Sequence, residues 1–315
     1  MRKLSLLIVI CCFLMAAPAV SEDMEPAGIL GTQGMLMLVN RDNRISKTYE
    51  PGDLVLPRVE TRKASLQEKI YLREEAAQAL ERMFETARFE AGYTLYAVSG
   101  YRSYGIQQIL FNAKVEEVGG RQKALRRVAP AGTSEHQLGL AIDIQAPSHL
   151  NLSQAFGQTQ EGQWAGANAH RFGFILRYKR EWSAVTGISD EPWHFRYVGI
   201  AHATAMYMLD IPLESYVEQA AMLPEYVLTG GSHVLLAGLI GEMLQGRVPP
   251  ALDALAMAEV SQRDEVLRQA TAPYLRDGQT YEQALWYAYP TPRPTAAPWV
   301  DMDEEVSLDS LAVDP

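Results

Sequence analysis

Two short stretches of the chain each set a histidine beside an acid at a spacing that could do chemistry. In "SEHQLGLAIDI" (134–144) Asp143 follows His136, and in "DEPWHFRYVG" (190–199) Glu191 precedes His194. Two histidines and one carboxylate are a standard ligand set for catalytic zinc, with a fourth position left for water. The spare acid then has a proton to carry, from the attacking water to a leaving amine. Spacing leaves two assignments open. Either Asp143 is the third ligand and Glu191 the base, or Glu191 is the ligand and Asp143 supports a histidine from behind. The other four histidines, His149, His170, His202 and His233, lack such company and read as ordinary core or surface residues. Both cysteines, Cys11 and Cys12, fall in an amino-terminal apolar run, so any metal held beyond it needs His, Asp or Glu. A third stretch, "SGYRS" (99–103), places Arg102 where a strand breaks into a loop. Its guanidinium could fork onto a carboxylate, although an arginine in that position is commonly just a solvated charge.

The elements that must position these residues follow from periodicity. From Gly139 to Ile144 the side chains alternate, with Leu140, Ile142 and Ile144 on a core face and Gly139, Ala141 and Asp143 on the other. The small residues of the second face are expected to leave space around Asp143. Pro192 forces Glu191 into extended backbone, and a strand is expected from about Trp193. Further strands are expected at "MLMLVN" (35–40), "YTLYAVS" (93–99, ending at Gly100) and "FILRY". Ser65 and Glu68 form a capping box before a helix whose apolar stripe is Leu66, Ile70, Leu80, Met83, Phe84 and Ala87, stopped by Gly92. Other helices are expected at about 104–118 and through "WAGANAHRF". This is an α+β pattern: a small mixed or antiparallel sheet flanked by helices, carrying a zinc site and followed by a helical carboxy-terminal extension.

The chain has 315 residues, is 48% hydrophobic and carries a formal charge of −10, with no long basic block. It can bury a full core, and bulk electrostatics exclude nucleic acid and anionic membrane surfaces as partners. Arg2 and Lys3, the apolar run from Leu4 to Met15 and "APA" (17–19) form a secretory signal peptide over residues 1–19. The alternative is an uncleaved membrane anchor; after cleavage no stable span is expected. A catalytic domain is expected over 33–222 and a helical extension over 223–289. The Pro-rich and then acidic segment 290–315 is expected to be disordered.

Taken in order, "SGYRS", "SEHQLGLAID" and "EPWHFR" resemble the signature of the VanY-like zinc D-alanyl-D-alanine carboxypeptidases of bacterial cell walls, a family that includes L,D-carboxypeptidases. The resemblance covers about residues 33 to 220. It implies that His136, Asp143 and His194 bind one Zn2+ and that Glu191 is the catalytic base. It also implies that Arg102, helped by Ser134 and Gln107, receives the terminal carboxylate of a peptidoglycan stem peptide. The expected function is that of a secreted zinc carboxypeptidase removing the terminal D-alanine outside the cytoplasmic membrane. Alternatives are an L,D-carboxypeptidase or endopeptidase on the same stems, or a peptidoglycan-binding module that kept the zinc fold without turnover. Retention of Glu191 speaks against the last. Residues 223–315 depart from the family pattern, which assigns them no role.

Overall fold

A computed structural model describes residues 28–31, 34–62 and 70–286. The expected signal peptide, the Ser65/Glu68 capping box and the tail from residue 290 lie outside these residues. A two-stranded ribbon pairs β1 (Leu54–Val55) with β2 (Leu72–Arg73). The main sheet has four antiparallel strands: β3 (Tyr96–Ser99), β4 (Ala141–Gln145), β5 (Phe174–Leu176) and β6 (His194–Tyr197), in the order β3-β4-β6-β5. Around it lie α1 (Glu74–Ala91), α2 (Tyr104–Val118), α3 (Arg121–Ala124), α4 (Gln160–Asn168) and α5 (Ser183–Thr186). A carboxy-terminal group follows: α6 (Ile200–Leu209), α7 (Leu213–Ala220), α8 (Glu225–Gly230), α9 (His233–Leu244), α10 (Leu252–Met257), α11 (Arg263–Thr271) and α12 (Tyr281–Trp286).

The two faces of the sheet have different jobs. Ile142 and Ile144 of β4, Phe174 of β5, and Phe195 and Tyr197 of β6 join a first core, to which α1 contributes Ala76, Leu80, Met83 and Ala87. Alternation sends the intervening residues to the opposite face. There Asp143 pairs with His194 and Ala141 with Arg196, while Ile175 enters a second core with α6 to α9. That second core is continuous across residue 222. Met206, Leu213 and Tyr216 before it pack with Val227, Leu235, Leu239 and Ile240 after it.

Three local expectations change. The helix α1 starts at Glu74, with no side-chain cap, because Leu72–Arg73 is committed to pairing with β1. Ile70 is buried but precedes the helix. Residues 35–40 form no strand. Leu36 and Val39 are fully buried, but the Met35 and Met37 carbonyls accept hydrogen bonds from Arg196, so the segment is held by a side chain rather than a ladder. Gly139 does not clear space at the site. A Cβ there would meet Leu54 at 2.8 Å and Arg73 at 3.2 Å, and its φ of 68° suits the turn into β4. Ala141 faces the fully buried Arg196 across the β4–β6 pair.

Candidate active site

Strand register brings the chemistry together. Asp143 and His194 are direct cross-strand partners on β4 and β6, so their side chains share one face. The His194 Nδ1 lies 3.0 Å from Asp143 Oδ1. His136 arrives from a 3-10 turn, Glu135–Leu138, immediately before β4, and its Nε2 lies 3.4 Å from Asp143 Oδ2. One ligand atom from each of the three residues lies within 4.8 Å of the others, and all three side chains are buried. Glu191 is not in this group.

The donor set fits a divalent cation. The His136 Nδ1 sits 2.7 Å from the carbonyl of Gly100, which can only accept, so Nδ1 carries the proton and Nε2 presents a lone pair to the Asp143 carboxylate. Burial, reinforced by the Arg102 charge, pushes the His136 pKa down to about 4 and so disfavours the imidazolium that would otherwise reconcile them. Two acceptors facing one another in a buried site are relieved by a metal ion between them. With neither cysteine nor further carboxylate in the group, the set suits zinc with an open position. Asp143 remains ionised: burial raises its pKa, but the charge and hydrogen bond of His194, 3.0 Å away, outweigh that and hold it well below the carboxylate range.

These residues floor a cleft of about 760 Å³ that Arg102, Gln107, Ser134, Glu191 and Trp193 also line. The Glu191 backbone is pinned from both sides. Its N–H donates to the Tyr178 carbonyl at 3.1 Å, and its carbonyl accepts from the His194 N–H at 3.1 Å. Burial raises its carboxyl pKa to about 7, with His194 and Arg102 pulling down and Asp143 pushing up. Arg102 is tied to the histidine turn through its N–H, which donates to the His136 carbonyl at 3.1 Å. Ser134 and Gln107 are buried in the wall. Gln107 spends its amide group on the Ala129 carbonyl at 2.7 Å, while its Oε1 has no protein partner.

A buried ionic cluster behind the site escaped the reading of the sequence. The fully enclosed Glu135 side chain pairs with Arg177 and Arg196, and its Oε2 lies 3.4 Å from His194 Nε2. The available signal was an arginine inside each of two apolar strands, "FILRY" and "WHFRY", since arginine is seldom buried unless paired. The remaining histidines lie apart. His149 meets Ser153, His170 stacks on Tyr207, His202 meets Tyr216, and His233 begins α9.

The chain is similar to several known proteins. The VanY family profile, described as D-alanyl-D-alanine carboxypeptidase, matches residues 69–200. YodJ of Bacillus subtilis, whose carboxypeptidase designation is provisional, is 45% identical over 195 residues, covering 61% of this chain and 70% of that protein. A D-alanyl-D-alanine carboxypeptidase of Enterococcus faecalis is 38% identical over 191 residues, covering 58% of this chain and 65% of its own length. The solved LdcB LD-carboxypeptidase superposes with a TM-score of 0.55 at 46% identity, covering 59% of this chain and 86% of its own. The matched span holds Arg102, Gln107, Ser134, His136, Asp143, Glu191 and His194, and the chain belongs to the VanY family of D-alanyl-D-alanine carboxypeptidases.

Proposed function

We propose that this chain is a zinc carboxypeptidase that removes the carboxy-terminal D-alanine from peptidoglycan stem peptides outside the cytoplasmic membrane. The observation that carries the reading is the joint placement of the buried His136–Asp143–His194 group, Glu191 and Arg102 in one cleft. Zinc bound by the three ligands would supply Lewis-acid polarisation of the scissile carbonyl and a lowered water pKa. The chain's own groups do the rest. Glu191 takes a proton from the attacking water and returns it to the leaving amine nitrogen as the C–N bond breaks. A carboxyl held near neutrality by burial suits both halves of that transfer. Arg102 pairs with the terminal carboxylate and so measures the free end of the peptide. Ser134 and the open Oε1 of Gln107 are available to hold the last residue in register. The likeness to LdcB supports a second reading, removal of D-alanine from a tetrapeptide across an L,D bond. The amino-terminal signal at residues 1–19 supports export, and no described helix is long and apolar enough to cross a membrane.

The test is to incubate the zinc-loaded chain with synthetic pentapeptide and tetrapeptide stems and follow alanine release by mass spectrometry. Each stem is supplied as the free acid and as the carboxy-terminal amide. Release from the acids is expected, with strong discrimination against the amides, because a lost charge-assisted hydrogen bond costs roughly 1.5–3 kcal/mol. Equal rates on acid and amide would exclude an exopeptidase and favour an endopeptidase. The stem that reacts decides between D,D and L,D cleavage.

A further inference from the structure

The metal ligands need their second nitrogens held as well as their first. For His136 that role falls to the Gly100 carbonyl. For His194 it falls to a side chain to which the sequence motif assigns no role. The Glu135 Oε2 lies 3.4 Å from His194 Nε2, on the side of the ring away from Asp143. The Glu135 Oε1 accepts from Arg177 Nε and Arg196 Nη1, both at 2.9 Å. Both guanidinium groups are fully buried, and each is fixed elsewhere. Arg177 forms a two-pronged pair with Glu214 of α7 at 2.9 and 2.6 Å. Arg196 also donates to the Met35 and Met37 carbonyls at 2.8 and 2.9 Å.

This is far more apparatus than packing a carboxylate requires, and burying it is costly unless every member is paired. What it delivers is an acceptor of fixed position behind one metal ligand. We propose that Glu135, clamped by Arg177 and Arg196, is a positioning residue of the metal centre: it accepts the Nε2 proton of His194 and so keeps Nδ1 bare for the metal. The proposal rests on the reading of His136, Asp143 and His194 as ligands. It also gives Glu214 a part, since that residue, on a helix of the second core, anchors the Arg177 side of the clamp.

The clamp makes Glu135→Gln informative. In that variant two cationic donors compete for the single amide oxygen against one imidazole N–H. The arginines take the oxygen, and the amide NH2 is turned toward His194. A donor facing Nε2 favours the tautomer with the proton on Nδ1, which cannot bind metal. In the folded variant, judged by circular dichroism, zinc affinity in competition with a chromophoric chelator should fall ~10–100-fold, the usual cost of losing an outer partner of a ligating histidine. A merely structural role would lower the unfolding midpoint and leave that affinity alone. The second measurement needs no variant. Long-range ¹⁵N–¹H correlation on the zinc-loaded full chain should place the proton of His194 on Nε2 and that of His136 on Nδ1. A folded Glu135→Gln with affinity within about twofold of wild type, or a His194 proton on Nδ1, would overturn the proposal. Wild-type protein that takes up no zinc would instead overturn the ligand reading and, with it, everything built on it.

Discussion

Asp143 is buried and Glu191 half-buried beside His194, and their surroundings push their protons in opposite directions. Burial opposes ionisation of each. At Asp143 the hydrogen-bonded His194 more than compensates, whereas Glu191 has no hydrogen-bonded cation and its pKa rises to about 7. A permanent anion suits a ligand and a near-neutral acid suits a proton carrier, which is the difference that spacing along the chain could not reveal. Glu191→Gln should therefore retain zinc and lose turnover by ~10²–10⁴-fold, as expected for a missing general base. Metal content and kcat measured on the same preparation check this. Zinc lost from Glu191→Gln but kept in Asp143→Asn would mean that the two roles are exchanged. Both histidine–acid pairs were legible in the sequence because they lie in short motifs. Glu135 was not, because its meaning depends on Arg177 and Arg196, 42 and 61 residues away.

At the scale of elements, the site is a consequence of register. β4 and β6 align Asp143 with His194, and Arg177, one step beyond β5, donates its N–H to the His194 carbonyl at 3.2 Å, in line with them across the sheet. Slipping β6 by one residue would send His194 into the first core and Phe195 into the cleft. The alternation that sets this was visible in "LGLAIDI" and "WHFRY". The order β3-β4-β6-β5 was not, since it depends on pairings between distant segments. Gly100 shows how closely the elements meet. A Cβ there would lie 2.4 Å from the Tyr71 carbonyl, whose oxygen is already held by the Tyr101 N–H at 2.7 Å. The neighbour is backbone and cannot swing aside, so in Gly100→Ala the loop must move and take the His136 acceptor with it. Overpacking of this kind costs ~1–3 kcal/mol. The expected signature is a lower urea midpoint together with weakened zinc binding. Unchanged zinc affinity in the destabilised variant would show that the Gly100 carbonyl is dispensable to His136.

For the whole molecule, two cores share one sheet, and the cleft lies on the face that also meets the second core. The helical character beyond residue 222 was readable from composition. That its helices continue the packing of α6 and α7 was not, because amphipathic stripes do not name their partners. His202 is the polar pin of that core. It is 4% exposed on α6, its Nδ1 lies 2.8 Å from the Tyr216 hydroxyl on α7, and it is also bonded to the Leu228 backbone on α8. Burial pushes its pKa from 6.5 down to about 4. The folded chain therefore refuses a proton that the unfolded chain binds, so stability is fully present above pH 6.5 and is lost as pH falls toward 4. Between pH 7 and 4.5 that lowered pKa corresponds to a loss of ~2–3 kcal/mol at full effect. Other buried groups titrate in the same interval, with Glu191 working in the opposite sense, so the informative quantity is the difference between wild type and His202→Gln. The variant can still pair with Tyr216 and carries no titratable group. Its urea unfolding free energy should start lower at pH 7, and its fall on acidification should be smaller than that of wild type by about the same ~2–3 kcal/mol. Parallel curves would mean that His202 titrates alike in both states, and the acid sensitivity of the second core would have to arise elsewhere.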